Sequence, residues 1–247
     1  MHPLIARYLS PEAARETLQK EKDGAPLSPE ERVFIQTAAA HPEQRGALLG
    51  TPLKRHLPSD AEAAVIFLAA HAAARALSED PSLGTATRKA REALQGEGAS
   101  EQETDAFLAS ILMEEAFGYE QEGIEAFDGG YVQEALGEVP ALAALTRDQV
   151  DALLVSFERG GKSEEERATR ARVARSLINT AWEEGPTPIN PEHIEAHYEA
   201  ALAERPEAEL EAGLRATVDF LQLLSREGLI GPQRLSRLRA QLGDEEA

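Results

Sequence analysis

The stretch Ala64–Leu77 reads AVIFLAAHAAARAL, the most apolar run in a chain of 247 residues, with a histidine at its middle. As a helix, the overlapping segment AAVIFLAA at 63–70 is apolar on every side and must therefore be covered on every side by other elements. The spacing predicts a central helix near 60–78, with alanines that let its neighbours approach closely. Val65, Ile66, Leu68 and Leu77 are expected among the deepest residues, joined elsewhere in the core by Trp182 and Leu221. Glu62, His71 and Arg75 interrupt the run before it reaches the ~20 apolar residues of a membrane-spanning helix, so it reads as a buried helix.

His71 decides whether that helix carries chemistry. Its neighbours one turn away are Phe67 and Arg75, neither of which can share a metal ion with it. Asp60, Ala64, His71, Arg75 and Ser78 trace a narrower, less apolar stripe. His71 is expected near Arg75 on that stripe, at the edge of the helix and hydrogen-bonded or partly hydrated.

Outward from this run, helix starts recur. Ser10-Pro11, Ser28-Pro29-Glu30-Glu31, Ser100-Glu101-Gln102-Glu103, Thr146-Arg147-Asp148-Gln149, Ser163-Glu164-Glu165-Glu166 and Asn190-Pro191 each offer a capping side chain, followed by proline or by an acid or amide that can close a capping box. Apolar residues then follow a helical period, as in Val173, Leu177, Ile178 and Ala181, or in Leu210, Leu214, Val218, Leu221 and Leu224. No segment alternates apolar and polar residues as a half-buried strand would. The fold class expected is all-α: an irregular multi-helix bundle of about ten helices. They fall near 11–22, 29–40, 60–78, 84–95, 101–127, 131–145 in two pieces, 147–159, 164–184, 191–204, 206–227 and 232–242. A single domain over 1–247 is expected, with a soft boundary near 95–100, where Gly96 and Gly98 precede a fresh capping box. The prolines at 186, 188 and 191 mark a second break. No fixed-period repeat is visible.

The 44 acidic residues outnumber 25 basic ones, for a formal charge of −19. Such a field repels phosphate backbones and anionic headgroups, which argues against nucleic acid and membrane surfaces as partners and leaves a basic protein as the complementary one. With no cysteine, disulfide frameworks, thiolate metal sites and cysteine nucleophiles are excluded. The opening MHPLIARYLSPEAARE lacks the pattern of a secretory signal, and a cytoplasmic location is expected. Phosphate-loop, dinucleotide-binding and nucleophile-elbow motifs are missing, and no cofactor is expected.

Two local patterns could carry function. The segment MEEAFGYEQEGIEAFDGG, Met113–Gly130, holds Glu114, Glu115, Glu120, Glu122, Glu125 and Asp128 with no basic residue, interleaved with Tyr119 and two phenylalanines. Acid mixed with aromatics suits the docking of a basic protein. It does not suit calcium, because an EF-hand loop begun at Asp128 would have Gly130, Val132 and Val139 at ligand positions. The second pattern is NPEHIEAHYEA, in which His193 and His197 lie one turn apart and could present two imidazoles to a transition metal. Ile194, Tyr198 and Ala201 are expected to form the buried face beside them. Glu195 lies roughly 200° round the helix from His193, too far to act as the base of a metalloprotease helix.

At the C-terminus, FLQLLSREGLIGPQRLSRLRAQLG sets a leucine-rich helix, a Gly228-Leu229-Ile230 turn and a second helix with Leu235, Leu238 and Leu242. This pattern resembles the helical hairpin of the short C-terminal domain family over about a tenth of the chain. Where that family carries acidic residues and an aromatic after the turn, this chain has Gly231-Pro232-Gln233-Arg234, so the resemblance implies a helix hairpin and not membership. Arg234, Arg237 and Arg239, like Arg167, Arg170, Arg172 and Arg175, are expected to pair with carboxylates on neighbouring helices or on a second copy in a homo-oligomer.

The reading that follows is a non-enzymatic helical module, of adaptor, regulatory-subunit or inhibitor type, that engages a protein partner through Glu114, Glu115, Tyr119, Glu120, Glu122, Glu125 and Asp128. The alternative is a metal-dependent enzyme or sensor that uses His193 and His197 with carboxylates from other helices.

Overall fold

The computed structural model describes residues 1–50, 59–122, 127–140, 145–183 and 189–243, without the side chains at 59, 117–122 and 182–183. Those residues form thirteen α-helices and one short 3-10 turn, with no strand among them. The helices are α1 (Pro3–Arg7), α2 (Pro11–Lys22), α3 (Pro29–Ala40), α4 (Pro42–Leu48), α5 (Ser59–Ala76), α6 (Gly84–Gly96) and α7 (Glu101–Glu122). They continue as α8 (Gly129–Gly137), α9 (Arg147–Arg159), α10 (Glu164–Glu183), α11 (Pro191–Ala201), α12 (Glu207–Arg226) and α13 (Pro232–Gln241).

The anticipated caps form. Ser10, Ser28, Thr146 and Asn190 each accept a backbone N–H from the first helical turn, and Ser28, Thr146 and Asn190 complete capping boxes. Ser100 and Glu103 exchange the same pair of bonds, whereas Glu166 accepts from Lys162 N while its own N–H donates to Ser163. Two helices not anticipated are α1 and α4. Each begins at a His-Pro step, His2-Pro3 and His41-Pro42. Proline at the first helical position was the available signal, since its fixed φ and missing N–H suit that place.

Backbone contacts gather the chain into two compact units, one of Met1–Arg91 with Gly98–Val132 and one of Glu92–Glu97 with Gln133–Ala247. In the first, α5 is the hub, packed by α1, α2, α3, α4 and α7. Val65, Leu68, Ala69, Ala70, Ala72, Ala73, Ala74 and Leu77 are all buried there. By length and composition Asp60–Glu79 could cross a bilayer, and 56% of that window is buried inside the fold. Ile66 departs from expectation. It is 36% exposed, and it shares an outward stripe with Glu62 and Ala63 on the first half of the helix. Glu62 lies one turn before Ile66, so a charged residue already marked that side as the open one.

In the second unit α10 is the hub, packed by α9, α11 and α12, and α13 packs on α11 and α12. Phe157, Leu177, Ile178, Ile194, Phe220, Leu221, Leu224, Ile230 and Leu238 belong to one buried cluster. Leu221 is therefore in the core as expected, while the Trp182 side chain lies outside the described residues. The second helix of the C-terminal hairpin is held from α8: Glu134 accepts the N–H groups of Gln233 and Arg234 at the start of α13. Its carboxylate lies where a Cβ on Gly231 would go, so a larger residue at that step would have to push the Glu134 carboxylate aside.

Candidate functional site

The acidic stretch 113–130 divides in two. Glu115 is 1% exposed, and one of its oxygens accepts from the Met1 ammonium at 2.9 Å and from Asp128 N at 3.1 Å. Asp128 Oδ1 in turn accepts Tyr131 N at 3.0 Å, and the Tyr131 hydroxyl donates to Glu114 in a short hydrogen bond. Glu114, Glu115 and Asp128 are thus engaged within the chain, where they fasten the start of α8 to α7. Of these expected partner contacts, Glu115 is buried, whereas Glu114 and Asp128 are half-buried. A carboxylate withdrawn from water needs such donors, whatever else it does. Glu125 and the side chains of Tyr119, Glu120 and Glu122 lie outside the described residues.

His193 and His197 are both fully buried, which corrects their expected place beside the packed face. Counting about 100° per residue along α11, His193, His197, Ala201 and Ile194 fall within about 100° of one another, so the histidines belong to the apolar side of the helix. Each has a structural task. His193 stands at the third helical position and completes a capping box: Asn190 Oδ1 accepts His193 N at 2.9 Å, and His193 Nδ1 accepts Asn190 N at 3.0 Å. An imidazole here replaces the usual glutamate or glutamine.

His197 bridges three helices. Its Nε2 meets Thr217 Oγ1 of α12 at 3.1 Å, and its Nδ1 meets Ser176 Oγ of α10 at 3.0 Å. The Thr217 hydroxyl spends its hydrogen on Gly213 O at 3.0 Å, so Nε2 carries the proton and Nδ1 accepts from Ser176. Burial, reinforced by the nearby Arg172, lowers the His197 pKa to about 4 and keeps the ring neutral. Neither Nδ1 lone pair is open for a metal ion. Among the described residues no group of three or more His, Cys, Asp or Glu side chains is placed to hold one. The ends of α11 are tied as well, by Arg172 to Ala201 O at 2.6 Å and by Arg234 to Ile189 O.

A further set of ionisable groups in the first unit surrounds His71, where the sequence spacing predicts no constellation. His71 is buried, stacks on Phe67 with 3.8 Å between ring centroids, and donates Nδ1–H to Phe67 O at 3.0 Å. It is therefore hydrogen-bonded as expected but not on an open stripe. The His41 ring stands edge-on to it at 5.0 Å. One turn along α5, Arg75 donates to Asp105 of α7 at 2.7 Å, and Arg91 of α6 donates to the other Asp105 oxygen at 2.6 Å. Asp105 is 1% exposed. These residues come from distant places in the sequence, and no spacing rule joins them.

The buried carboxylates follow one pattern. Glu31 accepts from Arg7, Lys20 and Ser28 N, Asp105 from its two arginines, and Glu138 from Arg234 Nε and Gly231 N. Arg234, fully buried against Glu138, meets the expectation that the arginines of the last helix pair with carboxylates on neighbouring helices. Exposed acid lies elsewhere, including Glu192, Glu195 and Glu199 along one side of α11 and Glu207, Glu209 and Glu211 at the start of α12.

Comparison of the chain with protein-family models, with curated proteins and with solved structures finds no match.

Proposed function

We propose that the chain is a non-catalytic helical binding module that recognises a basic protein partner by its exposed acid, with Glu120, Glu122 and Glu125 as the preferred contacts. One observation carries the reading: the buried carboxylates Glu31, Asp105, Glu115 and Glu138 all have donors inside the protein. Among the described residues every other carboxylate is at least partly exposed, which leaves the excess behind the formal charge of −19 without a counterpart in the buried pairs. Complementary charge speeds encounter and selects partners more than it adds affinity, which fits a module that must find one basic surface among many. Tyr119 would supply the apolar anchor that a charged rim alone lacks.

The test begins with the partner recovered from source cells and purified. Reversing Glu120, Glu122 and Glu125 to lysine should weaken binding at least about tenfold, or ~1.4 kcal/mol, and flatten its dependence on salt. The same reversal at Glu192, Glu195 and Glu199 should have a smaller effect. Unchanged affinity and salt dependence in the first variant would remove the 113–130 segment as the docking face, and equal losses in both would leave only a diffuse acidic attraction.

A further inference from the structure

His41 closes α3 and opens α4, donating its backbone N–H to Thr37 O and preceding Pro42. Its ring stands edge-on to both Phe67 and His71 of the central helix, 5.1 and 5.0 Å between centroids. The trio links the α3–α4 corner to α5 through rings and not through ion pairs. His41 Nε2 is buried without a hydrogen-bond partner, and His71 has committed its Nδ1–H to Phe67 O.

The charge around the trio is unfavourable to a proton. Arg75 on α5 itself and Asp105 from α7 act on both rings, and His41 also acts on His71; among the described residues no charged group of α1, α2, α3 or α4 does so. Asp105 is not free to neutralise an imidazolium, since one oxygen holds Arg75 and the other Arg91 of α6. A proton on either ring would face an arginine and a second imidazole in a poorly hydrated place.

From this geometry we infer that the His41–Phe67–His71 cluster is an acid-responsive latch, which fastens the α3–α4 corner to the central helix while both rings are neutral and releases it when they become charged. Two imidazolium ions with centroids 5.0 Å apart and no unpaired carboxylate between them cannot share that packing. Burial holds both rings below the ordinary histidine range, so the latch is closed at neutral pH and opens on acidification.

Amide hydrogen exchange of the whole chain at about pH 7.5 and about pH 5, corrected for the intrinsic rate change, tests the latch. Peptides spanning 34–48 should lose protection by at least about tenfold at the lower pH, while peptides spanning 104–116 of α7 lose less. His41→Phe keeps an aromatic ring but cannot be charged, and it should keep protection of the corner at both values. Retained protection in the wild type, equal loss across 104–116, or a His41→Phe protein that opens as readily as the wild type would each overturn the latch. If His41→Phe does not fold, NMR titration of the wild-type ring protons decides: midpoints for His41 and His71 below ~6.5 that coincide with the loss of protection sustain it, and midpoints at or above that value, or loss at a different pH, overturn it.

Discussion

Thr217 accepts the Nε2–H of His197 at 3.1 Å because its own hydroxyl hydrogen is already given to Gly213 O. One backbone carbonyl thereby selects the tautomer of a histidine buried among α10, α11 and α12, and the selected tautomer is neutral.

Stability in acid follows from that state. The folded pKa of His197 is lowered from 6.5 to about 4, so the unfolded chain takes up the proton first as pH falls. The contribution is present in full above pH 6.5 and is lost progressively down to about pH 4. Its size is ~3 kcal/mol, the free energy that separates proton binding by the folded and unfolded chains. Urea titrations across this window should show the stability difference between wild type and His197→Gln shrinking as pH falls, because glutamine cannot ionise. A difference that stays constant from about pH 7 to about pH 4 would contradict a neutral buried imidazole.

Adjacent positions on the central helix should respond unequally. Leu68 is fully buried, and its replacement by alanine should cost ~2–5 kcal/mol through lost burial and a residual cavity. Ile66, 36% exposed, should cost ~1 kcal/mol or less on the same change, because much of its surface is already in water. Thermal and urea unfolding of the two variants side by side would check the order, and equal losses would mean that Ile66 is covered in solution.

The Arg234–Glu138 pair gives a third expectation. Arg234 is fully buried, and its Nε donates to Glu138 Oε2 at 2.8 Å while Glu138 Oε1 accepts Gly231 N. Glu138→Leu or Arg234→Leu alone should cost ~3–5 kcal/mol, since each takes a charged hydrogen-bond partner from a charge held in the interior. The double replacement should cost less than the sum of the two, because neither charge then remains. Additive losses in urea titration would show that the two residues act separately.

The helices were legible because local chemistry writes their ends. Ser10, Ser28, Ser100, Thr146, Ser163 and Asn190 mark starts by hydrogen bonds that span three residues, a distance over which sequence and structure are nearly the same thing. The central position of α5 was legible for a related reason, since a helix apolar on most faces needs cover for them, even though the Glu62–Ile66 side of α5 stays open. His2-Pro3 and His41-Pro42 carry a weaker signal, because the residue before each proline is not a serine, threonine or asparagine.

The candidate sites were less legible. Met113–Gly130 reads as one acidic run, yet Glu115 turns inward to Asp128 N and the Met1 ammonium while Glu114 meets Tyr131. Which carboxylates stay free depends on donors brought from up to 114 residues away, and no periodicity encodes that distance. The spacing of His193 and His197 placed both rings on one side of α11. Whether that side met a metal ion or the hydroxyls of Ser176 and Thr217 depended on how α10 and α12 pack across it.

By itself, then, the sequence determined an all-α chain, its helix starts, a buried helix at its centre and a large excess of negative charge, all set by short-range capping, apolar period and composition. Tertiary structure alone decided which polar groups are spent inside the protein. His41 meets His71, Arg75 and Arg91 meet Asp105, and Arg234 meets Glu138 because helix packing closes long loops of chain around them. Desolvation then requires each buried charge to find a partner at whatever sequence distance the fold provides.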